Sequence, residues 1–147
     1  MLTLDGILQP TPQVASFGTN RVTNTITFAN DTTPVAVFTV TGAVIMKIIA
    51  ECLTDVESAG ACDIELGIVG ATDHCIVTTD ATLLEDGDIW HDATPDSDVE
   101  LLSVTHKQII IDGADVILTL SAQVDSGAIA FYCFWTPLSS DGLVVAA

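Results

Sequence analysis

Positive charge is what this chain has least of. Arg21, Lys47 and Lys107 are its only lysines and arginines, and they stand against 20 aspartates and glutamates for a net charge of −17. Binding to nucleic acid draws its affinity from Lys and Arg that displace condensed counterions, so three cations cannot supply it. An anionic membrane surface is disfavoured for the same reason. No Cys-x-x-Cys occurs, so the four cysteines lack the spacing of a zinc site, and in 147 residues they are too sparse for a disulfide scaffold. Gly-x-Ser-x-Gly and Gly-rich phosphate loops are missing as well. His74, His91 and His106 beside so many aspartates permit a hydrolase triad on paper, but so does any chain of this composition. His74 and Cys75 are neighbours on a strand and point to opposite faces, which argues against one shared site. The chain reads as non-catalytic, with no cofactor and no metal.

Long apolar runs are missing too. Residues 35–50 form the most apolar stretch, which is shorter than a bilayer span and broken by Thr39, Thr41, Gly42 and Lys47. Residues 1–13 have neither a basic start nor a continuous apolar segment, so no secretory signal is read there, and a soluble protein is expected.

What is present is unusual in combination. Hydrophobic residues make up 49% of the chain and its mean hydropathy is +0.55, despite the charge of −17. A disordered acidic chain would be poor in Ile, Val and Leu, so this composition implies a large apolar core under an acidic skin. At 15.4 kDa it is one domain by length. A chain of this size has roughly 7,000 Å² of folded surface against about 22,000 Å² unfolded, ample for a core.

Residues 1–21 read as an extended N-terminal arm and residues 22–147 as a single domain. Pro10 and Pro12 bias their neighbours away from helix. A frayed terminus and an arm draped on a neighbour both fit that stretch. From Val22 onward, Ile26 and Phe28 alternate with threonines, as in a half-exposed strand. The cluster at 30–34 ends it. Strands follow at 35–40 and 43–53, meeting at Thr41-Gly42, and again where Cys62, Ile64, Leu66 and Ile68 alternate with acids. Pairing of the last two would set Lys47 and Glu51 beside Asp63 or Glu65. It would also bring Cys52 near Cys62, as a disulfide or as buried free thiols. A short strand is read at 74–79.

Residues 80–100 carry eight acids and no lysine or arginine, and read as a surface excursion anchored at Ile89-Trp90. Glu85, Asp86, Asp88 and Asp92 suggest a calcium loop, but their order is not that of an EF-hand, and a solvated charge run is the plainer reading. Trp90 and His91 beside acids suggest a sugar site, against which stands simple packing of Trp90. Further strands are read at 99–105, 108–111 and 115–124, with Asp112-Gly113 as a hairpin signal. The last strand is apolar on both faces: Ile129, Phe131, Cys133 and Trp135 alternate with Ala128, Ala130, Tyr132 and Phe134. One face serves the core. The second set, Ala128, Ala130, Tyr132 and Phe134, is the candidate subunit interface. About nine short strands and no convincing helix make this an all-β chain, an antiparallel β-sandwich or jelly roll.

The stretches Gly87-Asp88-Ile89-Trp90-His91-Asp92, Ser126-Gly127-Ala128-Ile129-Ala130-Phe131-Tyr132 and Trp135-Thr136-Pro137-Leu138-Ser139-Ser140-Asp141-Gly142, running into Val144-Val145-Ala146-Ala147, resemble small tailed-phage virion structural proteins. Among these, a small acidic all-β chain is most similar to a head decoration (capsid-cementing) protein. The resemblance implies a homo-oligomer, a trimer, seated on the capsid surface after assembly in the host cytoplasm. It implies the major capsid protein as partner, and no nucleic acid or membrane. It also implies an arm that contacts the capsid, for which Leu2, Leu4, Ile7, Leu8, Pro10, Pro12, Val14, Phe17 and Arg21 are the candidates. The alternative is a receptor- or carbohydrate-binding virion module, such as a head fibre or a tail-associated jelly roll.

Overall fold

Alternation of β-branched and polar residues gives strands throughout, and glycines with positive φ let those strands turn corners. The structure is a computed structural model that describes residues 20–93, 99 and 108–147. Its described residues form ten strands: β1 (Asn20–Asp31), β2 (Val35–Thr41), β3 (Ala43–Glu57), β4 (Asp63–Ile68), β5 (Ala71–Asp80), β6 (Ile89–His91), β7 (Ile109–Asp112), β8 (Asp115–Leu120), β9 (Val124–Pro137) and β10 (Leu143–Ala146). A 3-10 turn, Ala81–Leu83, is capped by Asp80, whose Oδ1 accepts the Thr82 amide at 3.0 Å. The strand read at 99–105, apart from Val99, and the arm candidates before Asn20 lie outside the described residues.

Two antiparallel five-stranded sheets pack face to face. The front sheet runs β1-β9-β3, with β6 and β7 both on the far edge of β3, and the back sheet runs β10-β2-β8-β4-β5. This interleaved order is that of a jelly roll, with β10 added to the edge of the back sheet. It is a long hairpin rolled up. β1 pairs with β9, β2 with β8, β3 with β7 and β4 with β5, so each pair crosses from one sheet to the other together.

The crossings are visible at the glycines. Gly42 (φ 60°) carries β2 into β3 and Gly113 (φ 61°) carries β7 into β8. The two corners lie side by side, with the Gly113 amide donating to the Gly42 carbonyl at 3.0 Å. Both turns were legible as turns. Neither closes a hairpin, because the strands on either side of each belong to different sheets.

The pairing of β3 with β4 expected from their order in the chain is not formed. β3 lies in the front sheet and β4 pairs β5 and β8 in the back sheet, so Lys47 and Glu51 do not meet Asp63 or Glu65. Cys52 and Cys62 are buried free thiols.

Between the sheets lies one apolar core. Phe38, Phe131, Ile64, Leu66, Ile76, Ile111, Leu118 and Ile129 are among its fully buried members. No polar or charged residue is buried among the described residues. β9 sits in the middle of the front sheet and contributes Ile129, Phe131, Cys133 and Trp135 to this core.

Candidate interaction face

The alternation of β9 sends Ala128, Ala130, Tyr132 and Phe134 to the outer side of the front sheet. Tyr132, Phe134 and Ala128 are half-buried there, and Ala130 is buried. The register fixes their neighbours. Phe134 lies between Arg21 of β1 and Lys47 of β3. One step along, Tyr132 lies between Thr23 and Ile49, and beyond Ile49 is His91. The next row is Thr25, Ala130, Glu51 and Ile89. On the other side of the Phe134 row, Ile45 is flanked by Thr136 and Ile110.

The face is therefore apolar at its centre, with Ile45, Ile49, Tyr132 and Phe134 half-buried by their neighbours alone. At its rim Ile89 and Ile110 are 54% and 52% exposed. β1 adds a stripe of exposed threonines. Both cations among the described residues, Arg21 and Lys47, stand on it, on either side of Phe134. Glu51 and Asp112 supply opposing charge. On a chain of net charge −17, this face is close to electrically balanced.

Glu51 is engaged within the face. Its Oε2 accepts the Tyr132 phenol at 2.8 Å. That hydrogen bond, helped by burial, holds the phenol proton and raises the Tyr132 pKa above its ordinary value. Neither Arg21 nor Lys47 has an ion-pair partner among the described residues.

The four interface candidates named from sequence are thus brought together with residues that sequence reasoning did not assign to the subunit interface: Arg21, Ile45, Lys47, Ile49, Ile89 and Ile110. The outward setting of Ile45, Lys47 and Ile49 was readable from the alternation of β3, but their adjacency to β9 needed the register. Arg21, grouped with the arm by position, belongs to β1 because Asn20 already pairs with Trp135. The other capsid-contact candidates, Leu2, Leu4, Ile7, Leu8, Pro10, Pro12, Val14 and Phe17, lie outside the described residues.

The competing sites look different once placed. Trp90 is 5% exposed, packs edge-on against Phe131 with ring centres 6.3 Å apart, and donates its Nε1 proton to Thr79 Oγ1 at 2.9 Å. It is a core residue, with no open ring face for a sugar. The segment around it is more closely tied down than a surface excursion. Ala81 and Leu84 are buried, and the Cys52 and Val56 amides donate to Asp88 and Leu84. Asp88 accepts the Glu85 amide and Asp55 accepts the Asp86 amide. Among the described residues no three His, Cys, Asp or Glu side chains converge as metal ligands.

On the back sheet a polar cleft of about 120 Å³ is lined by Asp63, Glu65, Thr78, Thr119 and Ser121. Thr78 donates to Glu65 there at 2.6 Å and Ser121 Oγ accepts the Asp63 amide at 2.7 Å, while Thr119 Oγ1 is buried with no hydrogen-bond partner among the described residues. No protein-family model, curated protein or solved structure matches the chain.

Proposed function

We propose that this chain is a structural subunit of a tailed-phage virion, a head decoration protein that associates with further copies of itself and clamps the outer capsid lattice. The observation that carries the reading is the outer face of the front sheet. It is apolar and nearly charge-balanced on a chain that is otherwise strongly acidic, and a patch of that kind marks a protein contact. The jelly roll recurs in viral capsid and lectin domains, which supports the reading at the level of fold analogy. Its mechanism is mechanical. A subunit that binds the expanded lattice better than its precursor shifts the population of shells toward the expanded form. The acidic surface away from the contact keeps the free protein soluble before docking.

The test is to mix purified protein with expanded heads and locate added density by electron microscopy. Density on the outer capsid surface is the expected result, and density on the tail, or none, refutes the role. Deleting residues 1–20 tests the arm: loss of head binding with the domain still folded is expected, whereas retained binding removes the arm from the contact. The resemblance implies three copies per assembly, and the mass of the isolated protein against 15.4 kDa per chain reads the number directly.

A further inference from the structure

The outer face of the front sheet is antisymmetric about its Tyr132 row. One step toward one end stand Lys47 on β3 and the large Phe134 on β9; one step toward the other stand Glu51 on β3 and the small Ala130 on β9. A two-fold axis lying in the plane of contact, across the strands at the Ile49–Tyr132 row, exchanges those two ends while keeping each strand over its own copy. It places Lys47 over Glu51 of the second molecule, and Glu51 over its Lys47. It also places Phe134 over Ala130, so a protruding ring meets a low spot, twice.

We infer that the outer face of the front sheet is an isologous contact, on which a second copy of this chain docks with its β9 antiparallel to the first. This rests on the reading that copies meet through this face, and it adds the symmetry and the pairing, giving two copies for the isolated protein where the resemblance implies three. Three features favour a copy over another occupant. The first is charge: approach of two chains of −17 is repelled over most of their surface, whereas both described cations lie here, and one of them, Lys47, has Glu51 at the matching position across the axis while the other, Arg21, falls over Thr25. The second is volume, since a face that is self-complementary under one rotation needs no other partner to fill it. The third is size. Four strands at about 4.8 Å spacing by about ten residues at about 3.3 Å give a footprint on the order of 600 Å², close to the roughly 800 Å² per partner of a standard specific interface. Crossing of the two sheets near −30° displaces Lys47 by only a few ångströms from Glu51, within the reach of its side chain.

The experiment is charge reversal with complementation, read by native mass and sedimentation. Wild type gives twice 15.4 kDa. Lys47→Glu and Glu51→Lys each set like charges across both halves of the contact, and each raises the dissociation constant at least about tenfold. Mixing the two variants restores the pair as a heterodimer, because both crossed contacts then join opposite charges. Ala130→Trp, which fills the dip that receives Phe134, gives a monomer that neither variant rescues. Circular dichroism and melting of each variant separate lost contact from lost fold. If Glu51→Lys unfolds the chain, Glu51→Gln paired with Lys47→Glu carries the same test, with weaker recovery. A trimer by mass, or no recovery on mixing folded variants, overturns the two-fold contact while leaving self-association standing. A wild-type monomer at high concentration overturns both.

Discussion

Trp90 separates an assembly protein from a sugar-binding one, so its replacement discriminates between the two. In the structure the indole is 5% exposed, set edge-on to Phe131 at 6.3 Å and hydrogen-bonded to Thr79 at 2.9 Å. Trp90→Ala empties that space, and such truncations cost about 3–5 kcal/mol. Trp90→Phe keeps most of the edge contact but loses the hydrogen bond, about 0.5–1.5 kcal/mol, and part of the ring, for a total of about 1–3 kcal/mol. With a urea slope of about 2 kcal/mol/M, the midpoints fall by about 2 M for alanine and about 1 M for phenylalanine. Far-UV circular dichroism follows the transition, and Trp135, buried in the same core, serves as a second probe by fluorescence. A cycle of Trp90→Phe with Thr79→Ala isolates the hydrogen bond as a coupling of about 1 kcal/mol. If Trp90→Ala moves the midpoint by less than about 0.5 M, the ring is not the buried anchor described above. The carbohydrate reading would then regain its residue.

Three further outcomes follow from particular contacts. Tyr132 is the only tyrosine in the chain, so alkaline titration at 295 nm reads it alone. Its midpoint lies above the ordinary 10.0 and returns toward it in Glu51→Gln. The folded state holds the phenol proton, so that contribution to stability is complete below pH 10.0 and fades as pH rises through the higher folded value. All four cysteines are buried free thiols, and burial, then the neighbouring Cys75, pushes Cys133 up to about 12. Ellman's reagent at pH 8 should therefore label the native protein slowly and all four thiols after denaturation; two thiols without reductant would mean that one pair is bridged. Gly127 has φ 126°, and a methyl there would sit 2.8 Å from the Asp55 carbonyl and 2.9 Å from Val56 Cα. Gly127→Ala should cost about 2–5 kcal/mol. Gly60→Ala, which meets nothing within 4 Å, should change stability by less than about 0.5 kcal/mol.

The strands were legible in the sequence because a period of two with one buried face leaves a direct mark on residue type. Val44, Met46, Ile48, Ala50 and Cys52 read as one inward face, and all five are buried. Partners were not legible, because the same mark fits any neighbour. The nearest strand in the chain was the natural partner for β3. In a rolled hairpin the partner comes instead from the opposite arm, so β3 pairs β7 and β9. Likewise the glycines at 42 and 113 announced a change of direction without saying whether the chain returned along its own sheet or crossed to the other. The two apolar faces of β9 were readable. That Arg21 and Lys47 flank its outer face was not, since only the register brings residues so distant in sequence to one row.

The position of β9 also bears on how the protein is made. The strand at the centre of the front sheet leaves the ribosome long after β1 and β3, between which it must lie. Until Ile129 and Cys133 arrive, the inward faces of Ile26 and Ile48 have no neighbour on that side, and two long strand edges stand open. Completion of the front sheet therefore follows the making of its flanking strands and is governed by contacts between distant parts of the chain, the kind that form slowly. The repulsion of an acidic nascent chain for its copies on neighbouring ribosomes protects those edges during the wait, when aggregation is the competing outcome.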